Sequence, residues 1–193
     1  MKVNYDKLMN EQISSFGGTK PRLLLHCCCA PCSSAVIERL REFFEITFYY
    51  YNPNIFPEQE YNLRKEEFKK LNVDLVAEPY NHQEFVNIAK GMENEKEGGI
   101  RCRACIAQRM KQSFCYALKM GFDFVTTTLS ISPHKDAKYI NEVGEQLQQN
   151  FNVKYLYADF KKQNGYLRSI QICKDLKIYR QDYCGCEFSK YDE

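Results

Sequence analysis

The sequence predicts a single α/β domain, built on a parallel sheet of about five strands flanked by helices, and three observations carry that prediction. Short runs rich in β-branched and aromatic residues alternate with longer segments whose apolar residues recur at helical spacing. The chain has 193 residues, a length that suits one domain with a substantial core. It contains no internal repeat and no linker-like low-complexity segment.

Taken in order, Lys7 to Ile13 reads as a short helix, broken by Gly17-Gly18. Arg22 to His26 is the first strand, and the helix after it runs from about Cys32 to Phe44, with Pro31 suited to an early helical position. Ile46 to Tyr51 forms the second strand, which Asn52-Pro53-Asn54 stops. Pro57 can open a helix from Glu58 to Leu71, and Val73 to Ala77 gives a short third strand. Glu84 to Ala89 is helical, and the polar stretch Glu93 to Gly99 reads as a solvated loop with no chemistry of its own. A long amphipathic helix spans Arg101 to Lys119 and carries Cys102 and Cys105 in its first turn. Phe122 to Thr128 is the fourth strand; Ser132-Pro133 with Asp136 begins a helix to about Gln149; Val153 to Tyr157 is the fifth strand. Tyr166 to Leu176 is the last helix, and the tail from Tyr179 to Glu193 is irregular.

Charge is nearly balanced, with 27 basic and 25 acidic residues and a formal net charge of +2, so composition alone does not announce a nucleic-acid binder. Met1 to Pro21 is polar and lacks the apolar core of a signal peptide, and no window approaches the roughly 20 apolar residues of a membrane span. A cytoplasmic location with no membrane partner is the resulting expectation. In a reducing compartment, ten cysteines point to metal binding or redox chemistry rather than a disulfide framework.

They are clustered. Cys27, Cys28, Cys29 and Cys32 occupy the turn between the first strand and its helix, where a helix N-terminus favours anionic sulfur. Cys102-Arg103-Ala104-Cys105 puts two thiols on one helix face. Together the two groups satisfy either zinc or an iron–sulfur cluster, and the surplus thiols favour iron. Cys184-Gly185-Cys186 reads as a redox pair that can close a small strained ring, or as two further metal ligands. Cys115 reads as a core residue. Cys29-Ala30-Pro31-Cys32 has the form of a thioredoxin-type motif, so a thiol–disulfide oxidoreductase is one alternative reading, and a zinc-stabilised RNA-binding module is another. Ligands of parallel sheets bind beyond the carboxyl ends of the strands. The turns at Cys27 to Cys32, Tyr51 to Pro57 and Thr126 to Asp136 therefore share one cleft. Tyr51 at its strand end can stack on a base, His26 points into the core, and His134 and Asp136 are placed for chemistry. No glycine-rich phosphate loop occurs.

The chain resembles the epoxyqueuosine reductases of the QueH type. The matching pieces are Leu24-Leu25-His26-x-Cys28-Cys29-Ala30-Pro31-Cys32-Ser33, Tyr51-Asn52-Pro53-Asn54-Ile55, Cys102-x-x-Cys105, Thr127-Thr128-Leu129-x-Ile131-Ser132-Pro133-His134-Lys135 and Tyr179-Arg180-Gln181-Asp182-Tyr183-Cys184-Gly185-Cys186. The resemblance implies a fold like that of the nucleotide-binding PP-loop enzymes. It implies a [4Fe–4S] cluster held by Cys28, Cys29, Cys102 and Cys105, Cys184 and Cys186 as a redox pair, and room for a second iron on spare thiols. The implied reaction is the reduction of epoxyqueuosine to queuosine at the wobble position of transfer RNA, with electrons from an unidentified donor. Asp136 is the expected acid, with His134 and Tyr51 behind it. Arg101, Arg103, Lys135, Lys138, Arg168 and Arg180 are candidates for phosphate contacts.

Overall fold

The arrangement begins with β1 (Arg22–His26), whose three leucines are completely buried in the computed structural model, which describes residues 3–189. Leu23 and Leu25 face one core layer and Leu24 the other, which is why this strand is a continuous apolar run rather than an alternating one. Each such side chain contributes about 1.5–3 kcal/mol on burial. Helix α1 (Tyr5–Ser14) precedes the strand, capped by the Asn4 side chain, which accepts the Lys7 N–H at 3.2 Å. Then follow α2 (Ala30–Leu40), β2 (Glu45–Tyr50), α3 (Glu58–Glu66), β3 (Leu75–Ala77), α4 (His82–Ala89), α5 (Ile100–Met120), β4 (Phe124–Thr127), α6 (Ala137–Phe151), β5 (Lys154–Tyr155) and α7 (Gly165–Asp175).

The strands pair in the order β3-β2-β1-β4-β5, and every pair is parallel. One core layer joins β1 to Val36 and Leu40 of α2, Ile172 of α7 and Met9 of α1. The other joins it to Ile106, Met110 and Phe114 of α5 and to Ile140 and Val143 of α6. The chain winds outward from β1 to β3 on one side, then returns to β1 and continues outward through β4 on the other. The carboxyl ends of β1 and β4 therefore flank a topological switch point, the place where such sheets hold their ligands.

Several elements differ from the sequence expectation for identifiable reasons. Helix α2 starts at Ala30 because Cys29, fully extended at φ −168°, serves as its N-cap. The helix expected over Glu58 to Leu71 tightens into a 3₁₀ turn at Glu67–Leu71, where the Glu67 carboxylate accepts the Lys70 ammonium and the Tyr179 N–H at 2.7 Å each. The fifth strand shrinks to two residues: buried Asn141 takes the Ala158 N–H and carbonyl at 3.0 and 2.8 Å, drawing the chain out of the sheet. Ser132 to Asp136 is a turn, and α6 begins only at Ala137. Among the described residues, no helix is long and apolar enough to cross a membrane.

Candidate metal centre

Each strand end contributes its following turn to the switch point, and His26 ties three of them together. Its Nε2 lies 3.1 Å from the Tyr51 carbonyl, which can only accept, so that nitrogen carries the proton. Nδ1 then accepts from the Thr127 hydroxyl at 2.8 Å, and that hydroxyl oxygen accepts the Leu129 N–H at 3.2 Å. Burial lowers the imidazole to about pKa 4, so it is held neutral, as its place in the core requires. Cys27 is also spent on structure: its N–H bonds the Tyr49 carbonyl at 2.8 Å, its thiol bonds the Leu25 carbonyl at 3.3 Å, and burial keeps that thiol protonated.

Beyond Cys27 the chain has turned into the first turn of α2, and the sulfurs of Cys28, Cys29 and Cys32 all lie within 4.8 Å of one another. Hydrogen bonds from Cys29, Cys32 and Thr128, aided by the Arg109 charge, hold Cys28 well below the usual thiol range against the cost of burial. The Thr128 Oγ1 sits 3.3 Å from its sulfur and accepts the Cys28 N–H at 3.1 Å. Its neighbours move the other way. Cys29 is pushed up to about 12 and Cys32 is raised as well, chiefly because Cys28 takes the negative charge first.

The second thiol group lines an adjoining cavity. Cys102, Cys105, Cys184 and Cys186 line a small cavity together with Phe85, Asn54, Arg101, Arg109 and Lys135. Asn54, Arg109, Lys135 and Cys184 also line the larger cleft, of about 390 Å³, that holds Cys28, Cys29 and Cys32. The two thiol groups thus share a lining of two cations, an amide and a thiol. Burial pushes Cys105 up to about 11, with Arg109 pulling the other way. The Lys135 ammonium donates to Cys184 Sγ at 3.3 Å, and that sulfur is the main reason Lys135 stays protonated above its ordinary range.

The tail is held against the domain from Tyr179 to Ser189; its last four residues lie outside the described ones. Buried Arg64 donates to the Cys184 carbonyl at 3.1 Å and the Tyr183 carbonyl at 3.4 Å, and its guanidinium lies 4.9 Å from the Tyr183 ring centre. The Phe56 N–H donates to the Gly185 carbonyl at 2.8 Å, and Gln181 Nε2 donates to Cys29 Sγ at 3.0 Å. His82 bridges the Pro53 carbonyl at 2.8 Å and Glu187 at 3.0 Å. Gly185 has φ +114°, and a Cβ there would stand 2.8 Å from Arg64 Nη1 and 3.1 Å from Ile55 Cγ1, so only glycine fits. Cys184 and Cys186 are both free thiols; Cys184 faces the cleft, whereas Cys186 packs with Phe85, Ala89 and Cys105.

Several expected site residues lie elsewhere. Asp136 is exposed and does not line the cleft; its Oδ1 accepts the Lys138 N–H at 2.9 Å and caps α6, so the neighbour that enters the cleft is Lys135. His134 lines the rim. Tyr51 is buried with its hydroxyl on Glu84, so it offers no face for a base. Of the candidate phosphate contacts, Arg168 pairs with Glu38, Lys138 with Glu142, and Arg103 lies over Tyr139. Arg180 and Lys135 remain in the cleft. Arg101 is buried, donating to the carbonyls of Met92, Glu93 and Glu95 and lying 4.7 Å from the Phe188 ring centre. The stretch expected to be an inert loop therefore closes over the first turn of α5, where the Gly98 N–H also donates to Cys102 Sγ at 3.2 Å. Arg64 and Arg109 are the site residues that sequence reasoning missed. Arg109 had a signal: it lies one turn beyond Cys105, on the face that Cys102 and Cys105 share.

The donor set is soft sulfur, which suits iron–sulfur clusters or zinc. Arg101 Nε and Nη2 are buried beside the small cavity without an acceptor, and Arg109 is buried without a carboxylate partner among the described residues. Uncompensated buried cations call for an anionic group, and a thiolate-ligated metal centre supplies one. The residues present fit such a centre.

Fold and site together define an α/β protein with a five-stranded parallel sheet and a cysteine-lined centre at its switch point. A solved structure with the same fold is the U34-tRNA thiolase NcsA from Methanococcus maripaludis with its [4Fe–4S] cluster. It is matched with a TM-score of 0.56 at 11% identity, over 96% of this chain and 67% of that one. Residues 23–192 match the family model described as epoxyqueuosine reductase QueH. Proteins named epoxyqueuosine reductase QueH are 42% identical in Staphylococcus epidermidis, over 97% of this chain and 85% of the relative, and 33% identical in Thermotoga maritima, over 86% and 89%. The chain belongs to the epoxyqueuosine reductase QueH family.

Proposed function

We propose that this chain reduces epoxyqueuosine to queuosine in transfer RNA, using a [4Fe–4S] cluster held by Cys28, Cys29, Cys102 and Cys105. The observation that carries the reading is the convergence of both thiol groups on one wall of cations at the switch point, in a chain of this family. When bound, the cluster supplies one-electron transfer next to the substrate. Cys32, beside the first two ligands, is the spare thiol on which a second iron fits.

Removing the epoxide oxygen as water takes two electrons and two protons. Oxidation of Cys184 and Cys186 from two thiols to a disulfide releases that number of each, so the atoms balance, and an external reductant restores the thiols. Cys184 faces the cleft and is the sulfur nearer the substrate; Cys186, whose thiol is raised by burial, is its partner. Lys135 is the residue placed to hold a proton beside Cys184. Arg180, which lines the cleft and is exposed, is placed to meet the anionic backbone of the transfer RNA.

The test is analysis of anaerobically purified protein together with nucleoside mass spectrometry of epoxyqueuosine-containing transfer RNA. About four irons and four sulfides are expected in the cluster, with any iron on Cys32 counted beyond them. Cys184→Ser and Cys186→Ser should keep that iron yet yield no queuosine. Stoichiometric zinc in place of iron, or queuosine formation by both variants, refutes the proposal.

A further inference from the structure

We propose that Arg109 is the internal counter-charge of the metal centre and sets its reduction potential, an inference that rests on the cluster reading above. Arg101, Cys105 and Arg109 follow one another at intervals of four residues on α5, so each guanidinium lies one turn from the same thiol. The two arginines are used differently. Arg101 is tied to three carbonyls and holds the preceding loop closed. Arg109 is 3% exposed, and its contacts are weak: the Cys105 carbonyl at 3.4 Å and Asn52 Oδ1 at 3.3 Å. Among the described residues, no carboxylate is within its hydrogen bonds or among the charges that act on it. The charges that favour it are sulfurs, Cys105 first, then Cys184, Cys28 and Cys102, drawn from both thiol groups.

A buried guanidinium with no counter-ion is costly, and neutral thiols do not offset that cost. Four thiolates around an iron–sulfur core carry net negative charge in both oxidation states, and more in the reduced one. A fixed cation in a low-dielectric wall stabilises the reduced state more, which raises the potential. Asn52 makes the position rigid: its amide nitrogen donates to the Cys27 carbonyl at 2.9 Å while its oxygen receives Arg109. Arg109 is thus a positioning residue that acts through the cluster on how readily the centre is reduced.

The experiment is a redox titration of anaerobically purified wild-type, Arg109→Lys and Arg109→Gln protein, followed by electron paramagnetic resonance, with iron counted in each. Arg109→Gln should be reduced at least tenfold less at a given potential, which is 59 mV or more towards negative values for a one-electron couple. Arg109→Lys, which keeps the charge, should stay near wild type. If Arg109→Gln holds iron and titrates like wild type, or if the lysine variant shifts as far as the glutamine one, the inference is overturned. If Arg109→Gln cannot hold iron, retention by Arg109→Lys still supports charge compensation, and loss from both variants overturns it. Wild-type protein without iron would instead refute the cluster reading itself, a result separable from these.

Discussion

Gly185→Ala offers the sharpest test of the seat that holds the Cys-Gly-Cys segment. The substitution imposes two penalties read from the geometry. A non-glycine residue at φ +114° costs of order 1–3 kcal/mol in backbone strain. The new methyl also enters the space of Arg64 Nη1 and Ile55, at 2.8 and 3.1 Å. To make room, the buried guanidinium must give up its bond to the Cys184 carbonyl, and hydrogen bonds to charged groups are worth about 1.5–3 kcal/mol. Taking about 2.5 kcal/mol as the low end of the sum, the open state of the tail should gain about sixtyfold in population, since about 1.4 kcal/mol is tenfold. Cys186, only 4% exposed, reports that opening, because alkylation reaches it only when the tail lifts. Labelling wild type and variant with iodoacetamide under anaerobic conditions, with each cysteine quantified by mass spectrometry, should show the rise at Cys186. Cys27, buried in the sheet turn, serves as the control that stays protected. Unchanged labelling of Cys186 in Gly185→Ala would refute the argument that this glycine and Arg64 hold the segment down.

Four further outcomes are expected. Lys135→Met should slow alkylation of Cys184 at neutral pH, because it removes the ammonium bonded to that sulfur; an unchanged rate excludes that contact from the reactivity of the thiol. Asp136→Ala should cost about 0.5–2 kcal/mol in urea unfolding, as a lost N-cap does, while queuosine formation persists; a collapse of turnover would return Asp136 to the chemistry. Cys105→Ala should abolish iron binding, as iron analysis would show, because one of the proposed four thiolates is gone. His26 has its folded pKa lowered to about 4 from 6.5, so between those values the unfolded chain binds the extra proton. Stability should therefore fall as pH drops through that window, by up to about 3 kcal/mol, and His26→Gln should show a shallower pH slope in urea titrations.

The centre of the sheet was legible because β1 is buried on both faces and reads as a plain apolar run, Leu23 to Leu25, and β2 because it is rich in β-branched and aromatic residues. Strand ends were less legible because they depend on distant partners; nothing local to Val153 to Tyr157 shows that Asn141 will take the backbone of Ala158. The thiols were visible from spacing alone. Their environment was not, since it is built from charges far apart in sequence: Arg64 reaches the tail across 120 positions and Lys135 reaches Cys184 across 49. The reading of Asp136 rested on a local signal of the same kind. An acid just before a helix is equally the mark of a cap, and here the cap is what its carboxylate does.

The placement of the tail also explains why two cysteines separated by one residue differ in surroundings. Arg64 and the Phe56 N–H grip the carbonyls on either side of the bend, so the backbone between Cys184 and Cys186 is fixed from outside the segment. With the bend fixed, one sulfur is turned to the ammonium of Lys135 and the open cleft, and the other to Phe85, Ala89 and Cys105. Gln181 carries the same segment back to Cys29, so the thiols of the first turn of α2 and those of the tail are held by one continuous run of contacts. A chemical change at Cys184 must then be felt at Lys135, whose charge is sustained chiefly by that sulfur, and at Arg109, which faces it as well.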